Sequence, residues 1–217
     1  MPNRSALPLI GLFALVTGGQ AASRASDYLS PGDLAPAAMS CPSPGGDGPG
    51  TNRPVVTSVE ADWFFTQWQA AGEPSLYQLS KQQDGPRRVV RFTWLRSFHG
   101  AIFIRVTEQR DGTWLLSARE LTGTGGGRRP GLSAQRLDRP LTTAESAALS
   151  TVLNGGPLNG MAGAECAHGL DGAEWMFETV ENGAYKFVTR QSPDSGPVHD
   201  LGLTFVGLTG WYIEPVY

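Results

Sequence analysis

Between Arg87 and Thr122, apolar and polar residues alternate through three successive runs. Val90, Phe92 and Trp94 oppose Arg91 and Thr93. Ile102, Ile104 and Val106 oppose Phe103, Arg105 and Thr107, and Trp114, Leu116 and Ala118 oppose Leu115, Ser117 and Arg119. A period of two is that of a half-buried strand, so the stretch predicts a β-meander. Asp111-Gly112 joins the last two runs and predicts a type I′ turn, which needs positive φ at both central residues. Ala134 to Arg139 reads as a further strand. Glu174 to Val180 and Tyr185 to Arg190 read as a second hairpin turning at Asn182-Gly183.

The helical signals lie after the meander. Thr142-Thr-Ala-Glu145 has the S/T-x-x-E form of a capping box, and Ala148, Leu149, Val152 and Leu153 follow it as one apolar stripe. Leu201, Phe205, Leu208 and Tyr212 recur at helical spacing, although Gly202, Gly207 and Gly210 leave a strand as the alternative. Val55 to Gln69, with Trp63, Phe64, Phe65 and Trp68, fits either a short helix or a strand, its aromatics reading as core. Ser75 to Ser80 reads as a short strand. Together these predict an α+β domain, an antiparallel β-meander plus a second hairpin with two helices on one face.

Composition changes the picture mainly at the N terminus. Arg4 is the only charge before Arg24; Ala6 to Val16 is an apolar run, followed by small residues. That run is well short of the roughly 20 residues that span a bilayer, so residues 1–22 read as a cleavable signal peptide, with cuts after Ala21 or Ala25 both fitting. Eleven of the 24 residues from Pro31 to Pro54 are Pro or Gly, so residues 23–54 read as a disordered linker and 55–217 as one domain. The net charge is −3. Without the leader it becomes −4, with 16 basic against 20 acidic side chains. A nucleic-acid partner would call for a basic stripe and an integral membrane protein for a further long apolar run; the sequence carries neither.

Candidate chemistry is sparse. Cys41 and Cys166, the two cysteines, predict a disulfide in an oxidising compartment. If Cys166 were instead free, Cys166, His168 and Asp171 would resemble a thiol nucleophile with its base and orienting acid. His99 sits where two strands bend and is a candidate general base. The glycine-rich stretch from Gly123 to Gly131, with Arg128 and Arg129, suggests an anion cradle, but its spacing matches neither phosphate-loop signature; a plain loop is the simpler reading. Asp171 with Glu174 and Glu178 with Glu181 are carboxylate pairs at spacings that suit solvated charges. No H-E-x-x-H or C-x-x-C spacing points to a metal, and no cofactor is expected.

Arg91-Phe-Thr-Trp-Leu-Arg96, the glycine-rich stretch, Leu141-Thr-Thr-Ala-Glu145, Asp171-Gly-Ala-Glu-Trp175 and Ser192-Pro193, in this order, resemble uncharacterised exported bacterial proteins. The resemblance implies a periplasmic or secreted protein and carries no assigned activity. The expectation is therefore a non-enzymatic module that binds a protein or small-molecule partner or serves the cell envelope. The alternatives are a hydrolase built from loops around His99, His168 and Asp171, and a secreted enzyme inhibitor.

Overall fold

A computed structural model describes residues 24–42, 50–127, 129–166, 171–214 and 216. The three alternating runs become β3 (Arg88–Arg96), β4 (Ile102–Glu108) and β5 (Trp114–Leu121), and β6 (Ser133–Pro140) continues the meander. The second hairpin is β7 (Ala173–Glu181) and β8 (Ala184–Gln191). All six form one antiparallel sheet in the order β6-β5-β4-β3-β7-β8. The two predicted units thus meet at β3 and β7, where Phe92 lies opposite Phe177 and Trp94 opposite Trp175.

Two helices, α4 (Thr143–Asn154) and α5 (Pro197–Thr209), cover one face. They pack Leu149, Leu201 and Phe205 onto Val90, Phe92, Trp94, Ile104 and Phe177. The capping box of α4 is formed as expected: Glu145 N donates to Thr142 Oγ1 at 3.2 Å, and Thr142 N donates to Glu145 Oε2 at 2.8 Å. Gly202 lets α5 settle onto the sheet, because a Cβ there would lie 2.3 Å from Trp175 Cζ3.

The opposite face is covered as well. There α2 (Ser58–Ala70) buries Phe64 and Trp68 against Phe103, Met176 and Phe187, and α3 (Leu76–Leu79) packs on Val89 and Val180. The ambiguous Val55 to Gln69 stretch is therefore helical from Ser58 onward, opened by a second capping box of Thr57 with Glu60. The short strand expected from Ser75 to Ser80 is instead the one-turn α3, capped by Ser75 Oγ. Since both faces are packed, β3 is buried along its whole length rather than on alternate residues.

The segment expected to be a loose linker is ordered where it is described. It contains α1 (Pro31–Leu34) and a small hairpin of β1 (Met39–Cys41) with β2 (Thr51–Arg53). Tyr28, Leu29 and Val56 are buried beneath α2, and Tyr28 stacks on Trp68 with centroids 5.8 Å apart. Three buried anchors within it, Tyr28, Leu29 and Cys41, offset the ordering entropy that its proline and glycine content would otherwise leave unopposed. Cys41 is bonded to Cys166, 125 residues away. The proposed signal peptide and residues 43–49 lie outside the described residues.

The type I′ turn expected at Asp111-Gly112 is found instead at the second hairpin. Gly112 has φ +86° while Asp111 is not in the positive region. Gln109 and Thr113 close a three-residue loop by a 2.8 Å backbone bond. At the second hairpin both Asn182 (φ 49°) and Gly183 (φ 81°) are positive, as a type I′ turn demands. No helix among the described residues is long and apolar enough to cross a membrane.

Candidate functional site

The most deeply buried ion pairs form a network under α2. Arg91, fully buried on β3, donates from Nε to Glu178 Oε2 at 2.8 Å, and its Nη2 makes a closer contact with the same oxygen. Its Nη1 donates to the Pro74 carbonyl at 2.7 Å and faces Glu73 Oε2 at 3.4 Å. Arg105 Nε also donates to Glu73, and the Tyr185 hydroxyl donates to Glu178 Oε1. The Trp68 ring lies 4.7 Å from the Arg91 guanidinium, a cation–π contact. Burial pulls against charge on both partners. It lifts the Glu178 carboxyl, with Arg91 opposing the lift; it works against the Arg91 guanidinium, which Glu178 and Glu73 nonetheless hold above its usual value. These charges are spent on one another and on structure.

The strand ends nearest the predicted catalytic residues come together only in part. Ser97 N donates to Gly172 O at 2.9 Å, which sets the bend carrying half-buried His99 beside the segment beginning at exposed Asp171. His168 lies outside the described residues. His199 sits on α5, bonded to Asp200 and stacked on Trp175. Cys166 is in the disulfide, so it is no nucleophile in this state.

The glycine-rich stretch is docked here too, and its chemistry is the reverse of an anion cradle. The amides of Gly125 and Gly126 donate to the carbonyls of His99 and Arg96. The carbonyls of Gly125 and Gly127 accept from Trp63 Nε1 at 2.8 Å and Gln67 Nε2 at 2.7 Å on α2. Its glycines serve close approach: a Cβ on Gly125 would lie 2.6 Å from Arg96 N. Arg129 is exposed, and Arg128 lies outside the described residues.

Glu174, on the face under α2, is the one group here brought to about 7. Burial is the main cause, with Glu60 and Glu165 adding to it and the Thr189 hydroxyl and Arg53 opposing it. No group of three or more His, Cys, Asp or Glu able to hold a metal is found among the described residues.

A different feature lies at the other end of the sheet, where the hairpin turns gather. The loop after α3, the Arg110 turn and the Asn182-Gly183 turn enclose an open cleft of about 610 Å³. Leu79, Pro86 and Val180 supply its apolar wall, and Lys81, Arg87 and Arg110 its charge. Arg110 is fixed by bonds from Nε to Gly85 O and from Nη2 to Gln83 O. Arg87 is braced by Glu108 at 3.1 Å, and the Lys81 ammonium sits 3.9 Å from the Tyr77 ring centroid. None of the described cleft-lining residues is a carboxylate, and Asp84 stands at the rim, 4.0 Å from Arg110 Nη2. Three turns distant in sequence build this cleft, so alternation alone gave no sign of it. Compared with models of known protein families and with curated proteins, the chain matches none.

Proposed function

We propose that this protein is an exported bacterial binding module, acting in the periplasm or outside the cell, and that its ligand seat is the cleft lined by Lys81, Arg87 and Arg110. The carrying observation is that three cations, and no carboxylate among the described residues, line this cleft on a chain of net charge −3. Arg87 is paired behind it with Glu108, and Asp84 stands at its rim 4.0 Å from Arg110, which leaves Lys81 as the cation without a carboxylate partner in these contacts. Such a local field attracts a small anionic ligand, whose carboxylate or phosphate oxygens would take the guanidinium N–H groups that Gly85, Gln83 and Glu108 leave over. The disulfide between residues 125 apart suits an oxidising compartment, which supports export. Binding is favoured over catalysis because the deeply buried charges are joined to one another rather than directed at a cleft.

The test is a titration with sodium phosphate at constant ionic strength, followed by backbone amide shifts. Saturable shifts at residues 80–87, 110–112 and 182–183, abolished by Arg110→Glu, are expected. Unsaturable shifts scattered over the surface would defeat the reading. Hydrolysis around His99 and Asp171 is the second reading, favoured by the Ser97–Gly172 hydrogen bond that draws their segments together. A screen of chromogenic esters and phosphates, with His99→Ala as control, addresses it.

A further inference from the structure

The two edges of the sheet are finished differently. Along β8 the loop before β7 covers the edge: Thr189 N donates to Gly163 O at 2.7 Å, and Arg190 and Lys186 reach the carbonyls of Ala162 and Leu158. The other terminal strand, β6, has most of its residues exposed, and among the described residues the sheet continues no further beyond it. An open edge is a template for pairing with another strand.

The phase of that template can be read. Leu141 N donates to Trp114 O at 2.8 Å, so the alternation of an antiparallel ladder turns the backbone groups of Gln135, Leu137 and Arg139 toward β5. The amides and carbonyls of Arg136 and Asp138 therefore point outward, as does the carbonyl of Pro140. Arg136 and Asp138 also share one side-chain face, two residues apart and opposite in sign. If β6 meets a second β6 antiparallel, in-phase registers are limited. Centring on Arg136 sets Arg136 against Arg136, and centring on Asp138 sets Asp138 against Asp138. Centring on Leu137 sets each Arg136 against the other copy's Asp138, with both residues of each such pair in bonding phase.

From this self-complementary pattern we infer that two copies of the chain join edge to edge through β6, antiparallel about Leu137, into one continuous twelve-stranded sheet. Each Arg136–Asp138 pairing exchanges two backbone hydrogen bonds, and cross-strand pairs of opposite charge favour this register over its neighbours. On the opposite face the two Leu137 side chains meet. Leu137 is half-buried on the core, and Arg139 Nη2 holds the Leu208 carbonyl at 2.8 Å, so the tail with half-buried Trp211 and exposed Tyr212 leaves α5 beside this edge. It adds apolar surface to the seam. The arrangement has twofold symmetry, the commonest closed form of assembly, and it leaves no edge of β6 unpaired.

The test is sedimentation velocity on the purified, disulfide-intact protein across a concentration series. The wild-type chain is expected at twice its monomer mass at high concentration. Arg136→Asp and Asp138→Arg, each alone, set like charges opposite and should weaken the dimer by about tenfold or more. An equimolar mixture of the two variants should restore it as a heterodimer, because each cross-strand pair is then again Arg against Asp, whereas the lost pairings within each copy are not restored. Arg136→Pro removes an outward amide without touching the bonds to β5, and should also give monomers. A wild-type chain that stays monomeric, single variants that dimerise undiminished, or a mixture that stays monomeric would each overturn the proposal.

Discussion

Arg91 on β3 stands in register beside Glu178 on β7, and the pair is sealed from solvent, at 0% and 1% exposure. Removing one partner leaves the other charge buried and uncompensated. Glu178→Ala should therefore cost about 3–5 kcal/mol of stability in urea unfolding. The double variant Arg91→Met with Glu178→Leu should lose less than the single one, because Arg105 still pairs Glu73.

Glu174 gives the protein a pH dependence of known sign. Its folded-state value of about 7 lies above that of a free glutamate, so the folded state holds the proton more tightly than the unfolded chain. Its contribution is fully present below the unfolded value near 4.5 and is lost as pH rises through 7. The loss is at most about 3 kcal/mol, and less because the side chain keeps some contact with solvent. Melting temperatures between pH 5 and pH 8 should fall for the wild type, with a flatter profile for Glu174→Gln.

Reduction of the Cys41–Cys166 bond should lower stability by as much as about 5 kcal/mol, the chain-entropy value for so long a loop. Mass spectrometry of the alkylated purified protein, with and without reductant, measures the bond. Calorimetry with and without reductant measures its worth. Two alkylated cysteines in the unreduced sample would contradict the bridge.

Gly125→Ala should destabilise the domain by about 1–3 kcal/mol, a fall of several degrees in Tm, since the new methyl meets the backbone of Leu95 and Arg96. Gly112→Ala meets no neighbouring atom, yet its φ of +86° makes it costly through backbone strain alone. Comparing the two separates packing from conformation.

The strands, their order in the meander and the capped helix α4 were legible because each writes a local period. The α2 helix was also signalled, by Thr57 and Glu60 at capping-box spacing, but the aromatic run that follows obscured its period. What could not be read was the second covered face. Arg91 sits at a position that alternation marks as solvent-facing, and its burial is made tolerable by partners distant in sequence, chiefly Glu178, 87 residues on, with Glu73 and the Pro74 carbonyl. The same holds for the cleft, whose cations come from separate turns. The glycine-rich stretch has the composition of an anion cradle but reads more simply as a plain loop, and its fold spends the amides of Gly125 and Gly126 on carbonyls.

The long-range bridge also imposes a timetable. A chain is made from its N terminus, so Cys41 exists 125 residues before its partner does. The strap it anchors, with Tyr28 and Leu29, has nowhere to lie until β3, β7 and β8 have assembled the surface beneath it. An incomplete chain therefore carries an unpaired Cys41 thiol and an uncovered apolar face together. Closing the bond is the step that withdraws both.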